Sequence, residues 1–337
     1  MDKIRNLFGY SPSEDEDPTE PESPMLSGDA ERAGQRRDPS TPVPGDVPAV
    51  KPGGVGTTRR LPPLESALVR TVERLTFGHS RDIGMVRSNN EDSTFTFFSS
   101  QCSADDYPDF GIFIVADGAG GHADGERASA VVSRTVADYL SRHIYQPMLT
   151  QDLANQGQDR PPITEVLAEA VRIADQAVKE AVPGGGSTLT AAVTIGDLAH
   201  FAHVGDSRAY LITTDKEAGK VRMEQLTRDH SVAKRLEEIG QITAQEAINH
   251  PEASRLWKIM GLTDNLEPEI FTRRLPPHSH LVICSDGLWN QVPADEIRDA
   301  VISAATPQEA CNRLVVAANG YGGNDNISVI VLNIPGD

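Results

Sequence analysis

Acidic residues in five tight turns, each beside an apolar run, form a pattern suited to holding divalent cations. Asn90-Glu91-Asp92 follows Gly84-Met85-Val86-Arg87, and Asp117-Gly118 ends the run Gly111-Ile112-Phe113-Ile114-Val115-Ala116. Asp206 lies in Val204-Gly205-Asp206-Ser207-Arg208, and Asp286-Gly287 ends His280-Leu281-Val282-Ile283-Cys284-Ser285. Asp325-Asn326 opens Ile327-Ser328-Val329-Ile330-Val331-Leu332. One Asp-Gly by itself is ordinarily a turn. Five acidic turns beside strand patterns, far apart in sequence, point instead to one site built from several strands, because a rigid strand end holds a carboxylate in place. Oxygen donors without a matching His/Cys set favour Mg²⁺ or Mn²⁺ over zinc.

The elements that must position these groups are legible from periodicity. The apolar runs read as buried strands. Apolar residues at helical spacing predict helices over Val131 to Ile144 and Ile163 to Val182, the second stopped by Pro183-Gly184-Gly185-Gly186. Ser187 to Ile195 and Ala199 to Thr213 read as two paired strands joined at Gly196-Asp197. Ser231 to Ile239 reads as a helix ending at Gly240, and Thr243 with Glu246 makes a capping box for the next one. Ala294 to Ala305 and Pro307 to Asn319 complete the helices. Strands and helices are interspersed without strict βαβ alternation, which predicts a mixed α+β fold of antiparallel sheets covered by helices.

Composition narrows the function. A net charge of −18 over 337 residues argues against nucleic-acid backbones and anionic membranes as partners. Neither a transmembrane run nor a signal-peptide core is expected. Cys102, Cys284 and Cys311 show no metal-ligand spacing, and so sparse a set fits a reducing cytoplasm. Cys284 reads as a small core residue. Eleven of the 23 prolines precede Leu64, and Ser13-Glu14-Asp15-Glu16-Asp17 is mostly acidic. Residues 1–70 are therefore expected to be disordered, ahead of a domain spanning 71–337. Within the tail, Ile4, Leu7 and Phe8 have the spacing of a short docking helix. Ser11, Ser13, Thr19, Ser23, Ser40 and Thr41 each adjoin a proline and are candidate phosphorylation sites.

The order and detail of the motifs resemble the metal-dependent protein phosphatases (PPM, protein phosphatase type 2C) in their bacterial form. They are Asp82-Ile83-Gly84-x-Val86-Arg87-x-x-Asn90-Glu91-Asp92, Val115-Ala116-Asp117-Gly118-x-Gly120-Gly121-His122, Gly186-Ser187-Thr188, Val204-Gly205-Asp206-Ser207-Arg208, Leu226-Thr227-x-Asp229-His230-Ser231, Ser285-Asp286-Gly287-Leu288 and Gly323-x-Asp325-Asn326-Ile327-Ser328-Val329. The resemblance spans about Leu75 to Ile334. It implies an αββα four-layer sandwich, two antiparallel sheets flanked by helices, with a binuclear centre of Mn²⁺ or Mg²⁺ at one end. The implied reaction is hydrolysis of phosphoserine and phosphothreonine on proteins by a metal-activated water. A Ser/Thr kinase is expected among the substrate proteins.

The resemblance also implies roles by position. Asp117 bridges the ions and the Gly118 carbonyl serves the second. Asp286 and Asp325 hold the first, while Glu91 and Asp92 stand near the second, with contact through water. Arg87, four residues before Glu91, is the phosphate-binding cation, and its planar fork suits that task better than a lysine would. Some members carry a proton-donating His two residues after the bridging Asp. Here that position is Ala119, where bacterial relatives commonly carry Met, and His122 falls five residues on, leaving a proton-donor and a structural role both open. Asp206 resembles a ligand of a third ion. Asn290 stands where a second Asp is common, which implies that the third ion is weak. The segment of about 229–262 matches the family's flap, where Trp257 reads as either a packing or a substrate-facing aromatic. Two alternatives to the protein phosphatase stand beside it, a weakly active or inactive sensor or scaffold on the same fold and a small-molecule phosphatase.

Overall fold

Each long apolar run becomes a strand buried on both faces. A computed structural model describes residues 74–100, 108–120, 123–149, 161–215, 219–248 and 250–336. The N-terminal segment to residue 70, its docking helix, Cys102 and His122 lie outside the described residues. The chain runs β1 Thr76–Asp82, β2 Asp92–Ser99, β3 Phe110–Ala119, α1 Ala123–Leu140, a π turn Ser141–Tyr145, α2 Gln146–Leu149 and α3 Ile163–Ala181. It continues through β4 Gly186–Ser187, β5 Leu189–Ile195, β6 Leu198–Val204, β7 Arg208–Asp215, β8 Lys220–Gln225, α4 Val232–Glu238 and α5 Ala244–Ile248. Then come β9 Glu269–Arg274, β10 Ser279–Cys284, α6 Asp286–Trp289, α7 Ala294–Ser303, α8 Pro307–Gly320 and β11 Ile327–Asn333.

Two antiparallel sheets result, ordered β1-β11-β10-β7-β8 and β2-β3-β5-β6-β9. The strand period of two divides each run between layers. In β3, Phe113 and Val115 point between the sheets with Phe201, Leu281, Ile283 and Ile330. Ile112, Ile114 and Ala116 point outward onto α1 and α3. Val282, Cys284, Val329 and Val331 point the other way, onto α7 and α8. The architecture is the expected αββα sandwich, and Cys284 is a fully buried core residue. Each fully buried Ile, Leu or Phe contributes about 1.5–3 kcal/mol.

Two expectations change. The predicted helix over Val131 to Ile144 begins earlier, at Ala123, so α1 follows closely on β3. The segment Ala199 to Thr213 is two strands in different sheets, β6 and β7. Gly205, at φ +104°, breaks the run and lets the chain cross over, which places Asp206 in the crossover. The flap forms largely as read. Ser231 caps α4 by accepting from the Lys234 N–H at 3.3 Å. The Thr243 N–H donates to Glu246 at 2.7 Å and the Glu246 N–H to the Thr243 hydroxyl at 3.3 Å. The flap joins the sandwich by reciprocal backbone bonds between Ser187 and Met260, at 3.1 and 3.0 Å.

Candidate active site

The strand ends bring the acidic turns to one place. Asp117 lies near the end of β3, and Asp92 lies directly opposite it at the start of β2. Asp286 sits in the first turn of α6, just after β10, and Asp325 just precedes β11. Arg87 and Glu91 come from the loop between β1 and β2. A cleft of about 300 Å³ is lined by Arg87, Glu91, Asp117, Asp206, Asp286 and Asp325. Gly118, Ala119 and, from the flap, Ser254 and Leu256 complete its wall. Asp92 stands behind the cleft, fully buried, and accepts from the Ser285 hydroxyl at 2.8 Å.

Several supports were not legible as such in the sequence. Asn326 is a buried clamp. Its amide group donates to the carbonyls of Ile83 and Asn89, both at 2.9 Å, and its oxygen accepts from the Glu91 N–H at 2.7 Å. It thereby fixes the loop carrying Arg87 and Glu91 against the start of β11. Thr188 accepts from the Asp117 N–H at 3.0 Å and donates its own N–H to the Asp117 carbonyl at 2.8 Å. The Trp289 indole N–H holds the Asp206 carbonyl at 3.0 Å. That indole lies under the Arg208 guanidinium, 3.4 Å from the ring centroid, and Arg208 is paired with Asp229 at 2.6 Å. Asn326, Thr188 and Arg208 all fall in the quoted motifs, but pairings across tens of residues leave no periodic trace.

The electrostatics are those of a site made for cations. Burial, then the charge of Asp92, pushes the Asp117 carboxyl well above its ordinary range. Burial, then the charge of Asp286, does the same to Asp206. Burial raises Asp92 to about 7, and burial followed by the charge of Asp325 raises Asp286 to about 6. Among the described residues lining the cleft, Arg87 is the one cation, and its Nη2 meets Asp325 at 2.6 Å. Asp92 Oδ1 and Asp286 Oδ1 are buried without a hydrogen-bond partner. Buried carboxylate oxygens left unpaired are costly, and pairing with a hard cation removes that cost. At Gly118 an added Cβ would collide with the Gly125 carbonyl oxygen, so only glycine fits beside Asp117. The residues present fit divalent cations with oxygen ligands.

The remaining candidates are placed as follows. Asn290 donates its amide to Asp286 Oδ2 at 3.2 Å. Trp257 is 41% exposed and packs edge-on against His230, away from the Arg87 cleft.

Comparison with known proteins identifies the family. A family model described as Protein phosphatase 2C matches residues 88–317, more than half of the chain. The serine/threonine phosphatase stp of Listeria innocua serovar 6a is 34% identical over 251 residues, 74% of this chain and 92% of the relative. The crystal structure of the Mycobacterium tuberculosis serine/threonine phosphatase PstP/Ppp superposes with a TM-score of 0.61 at 30% identity, covering 77% of this chain and 99% of that one. The catalytic domain of the serine threonine protein phosphatase PstP in complex with two manganese ions superposes with a TM-score of 0.59 at 28% identity, covering 77% and 98%. The chain therefore belongs to the protein phosphatase 2C family.

Proposed function

We propose that this protein hydrolyses phosphoserine and phosphothreonine on proteins, using two divalent cations, Mn²⁺ or Mg²⁺. The observation that carries this reading is the convergence of Asp117, Asp286, Asp325 and Glu91 with Arg87 on one cleft. Asp117 would hold both cations, with the Gly118 carbonyl and, through water, Glu91 serving one and Asp286 and Asp325 the other. Asp92 backs the set from behind. When bound, such a pair lowers the pKa of an attacking water and offsets charge on the phosphoryl oxygens. Arg87 orients the phosphoryl group. Half of its side chain is exposed, so the part of the fork not engaged by Asp325 is open to a second, bidentate contact. Leu256, from the flap, narrows the approach. His122 remains a candidate proton donor by position alone.

Asp206 and Asn290 line a common cleft on the flap side, which supports a third, weaker ion held by one carboxylate. The intact acidic set favours the active enzyme over a sensor or scaffold. A Ser/Thr kinase is a fitting substrate, and the N-terminal segment a fitting docking arm. Deletion of residues 1–70 should then leave small-substrate turnover unchanged. No described helix is long and apolar enough to cross a membrane. The buried free thiols Cys284 and Cys311 fit a reducing cytoplasm.

The test is phosphate release from a phosphothreonine peptide and from p-nitrophenyl phosphate, with Mn²⁺, with Mg²⁺ and with EDTA. Metal-dependent release from both supports the assignment. No release from folded, metal-supplied protein would return the reading to a scaffold. Release from p-nitrophenyl phosphate alone would favour a small-molecule phosphatase.

A further inference from the structure

The flap segment borders two clefts. Leu256 lines the cleft of Arg87 and Asp117. The next residue, Trp257, lines a separate cleft of about 600 Å³ with Arg228, His230, Arg235, Lys258 and Glu269. The two are tied through the backbone. The His230 N–H donates to the carbonyl of Gly205, the residue before Asp206, and the Trp257 N–H donates to the His230 carbonyl at 3.0 Å.

The hydrogen bonds of His230 fix what this second cleft can bind. The Gly205 N–H donates to His230 Nδ1 at 3.0 Å. A backbone amide only donates, so Nδ1 accepts and the ring proton sits on Nε2. The residue is 4% exposed, and its Nε2 has no partner among the described residues. Burial, then neighbouring His203, Lys258 and Arg228, lowers its pKa to about 3, so the ring is a neutral N–H donor at physiological pH. His203 Nε2 likewise donates, to the Arg228 carbonyl at 3.0 Å. His203, His230 and Glu269 bring ligand atoms within 4.8 Å of one another, as a transition-metal site would. Protons on both Nε2 atoms oppose that use.

What remains is an N–H donor ringed by cations. Among the described residues, neither Arg235 nor Lys258 makes an ion pair, and Arg228 is paired with Glu238. The Lys258 ammonium lies 4.9 Å from the Trp257 ring centroid and donates to the Glu267 carbonyl at 2.8 Å. Glu269 in the lining and Glu238 on Arg228 offset two of the three cations, which leaves a local surplus of one on a chain of net charge −18.

We propose that this cleft is an anion subsite that takes an acidic side chain flanking the phosphoresidue of a protein substrate. The proposal rests on the phosphatase reading and inverts the simplest expectation from net charge, that so acidic a protein prefers basic substrates. The Trp257 ring supplies an apolar wall for the peptide beside the charge.

The test compares the full chain with an R235A/K258A double variant, both with Mn²⁺. Three substrates are used: a phosphothreonine peptide flanked by glutamates, the same peptide with glutamines, and p-nitrophenyl phosphate. The wild type should prefer the glutamate peptide by about fivefold to tenfold in kcat/KM, the scale of two partly exposed ion pairs. In the double variant that preference should vanish, with p-nitrophenyl phosphate turnover within about twofold, because neither residue lines the Arg87 cleft. Equal use of the two peptides by the wild type, or a preference surviving the double substitution, would overturn the subsite. So would one tightly bound Zn²⁺ that is lost on H203Q or E269Q substitution. If neither the peptides nor p-nitrophenyl phosphate were hydrolysed, the phosphatase reading would fail separately. The ratio of peptide affinities, read by tryptophan fluorescence in EDTA, then decides the subsite.

Discussion

Replacing Asp286 with Asn should abolish turnover and yet stabilise the metal-free protein. Asp286 is partly buried at the cleft wall, and burial followed by the charge of Asp325 raises its carboxyl from 3.8 to about 6. A shift of about two units corresponds to about 3 kcal/mol, at about 1.4 kcal/mol per unit. The sign follows from linkage. The unfolded carboxyl ionises near 3.8 and the folded one near 6, so the folded state binds the proton more tightly. Stability from this group is present below the unfolded value and is lost as pH rises through the folded value. Asn carries no charge and is nearly isosteric. Its oxygen can still accept from Asn290, and its amide supplies a donor where Asp286 Oδ1 has no partner. In EDTA at about pH 8, D286N should therefore melt about 6–12 °C above wild type, at about 2–4 °C per kcal/mol for a domain of this size. The gap should shrink toward zero by about pH 4. With Mn²⁺ the wild type should gain stability while the variant does not, and only the wild type should release phosphate. A variant that melts below wild type in EDTA at the higher pH would refute the electrostatic argument. One that keeps full turnover would refute the placement of a cation there.

Four further outcomes follow from the same geometry. R87K should lower kcat/KM for a phosphopeptide by about tenfold or more, since lysine cannot make the bidentate contact, with metal affinity by calorimetry unchanged; unaltered kinetics would remove Arg87 from phosphate binding. N326A should cost about 2–4 kcal/mol in urea unfolding, because it strands backbone groups of Ile83, Asn89 and Glu91; a loss under about 0.5 kcal/mol would mean that the loop needs no clamp. G118A should cost about 1–3 kcal/mol and weaken cation binding, since its Cβ meets the Gly125 carbonyl; calorimetry showing wild-type affinity would count against it. N290D should tighten a third cation by supplying the missing carboxylate beside Asp286 and lower the melting temperature in EDTA; unchanged stoichiometry and affinity would exclude Asn290 from that site.

The sequence carried the catalytic end better than its scaffolding. Asp117, Asp286 and Asp325 were legible because each terminates or opens an apolar run whose period marks a buried strand, and strand ends of both sheets converge at one end of the sandwich. The crossover at Gly205 was not. Ala199 to Thr213 is continuously strand-like in composition, and only the left-handed φ of one glycine separates the two sheets. The clamp by Asn326 and the brace of Arg208, Asp229 and Trp289 were hidden for another reason. A buried polar residue beside a functional one has the same local signature as a turn. The cleft at His230 escaped because its character depends on a ring tautomer, which is set by a contact from Gly205.

The placement of the carboxylates also explains why such a costly cluster can persist in a folded chain. Asp92 and Asp117 stand on one sheet, while Asp286 and Asp325 flank strands of the other. Their repulsion therefore acts across the end of the sandwich, where Arg81 and Ser285, on the side of one sheet, donate to Asp92 of the other. The long interior of Phe113, Phe201, Leu281 and Ile330 is untouched by it. Each such side chain contributes about 1.5–3 kcal/mol when buried, so a penalty of a few kcal/mol at one end leaves the core intact. Confining the unpaired charge to one end of the sandwich leaves the core free to hold the fold, and pairing that charge with cations removes the penalty.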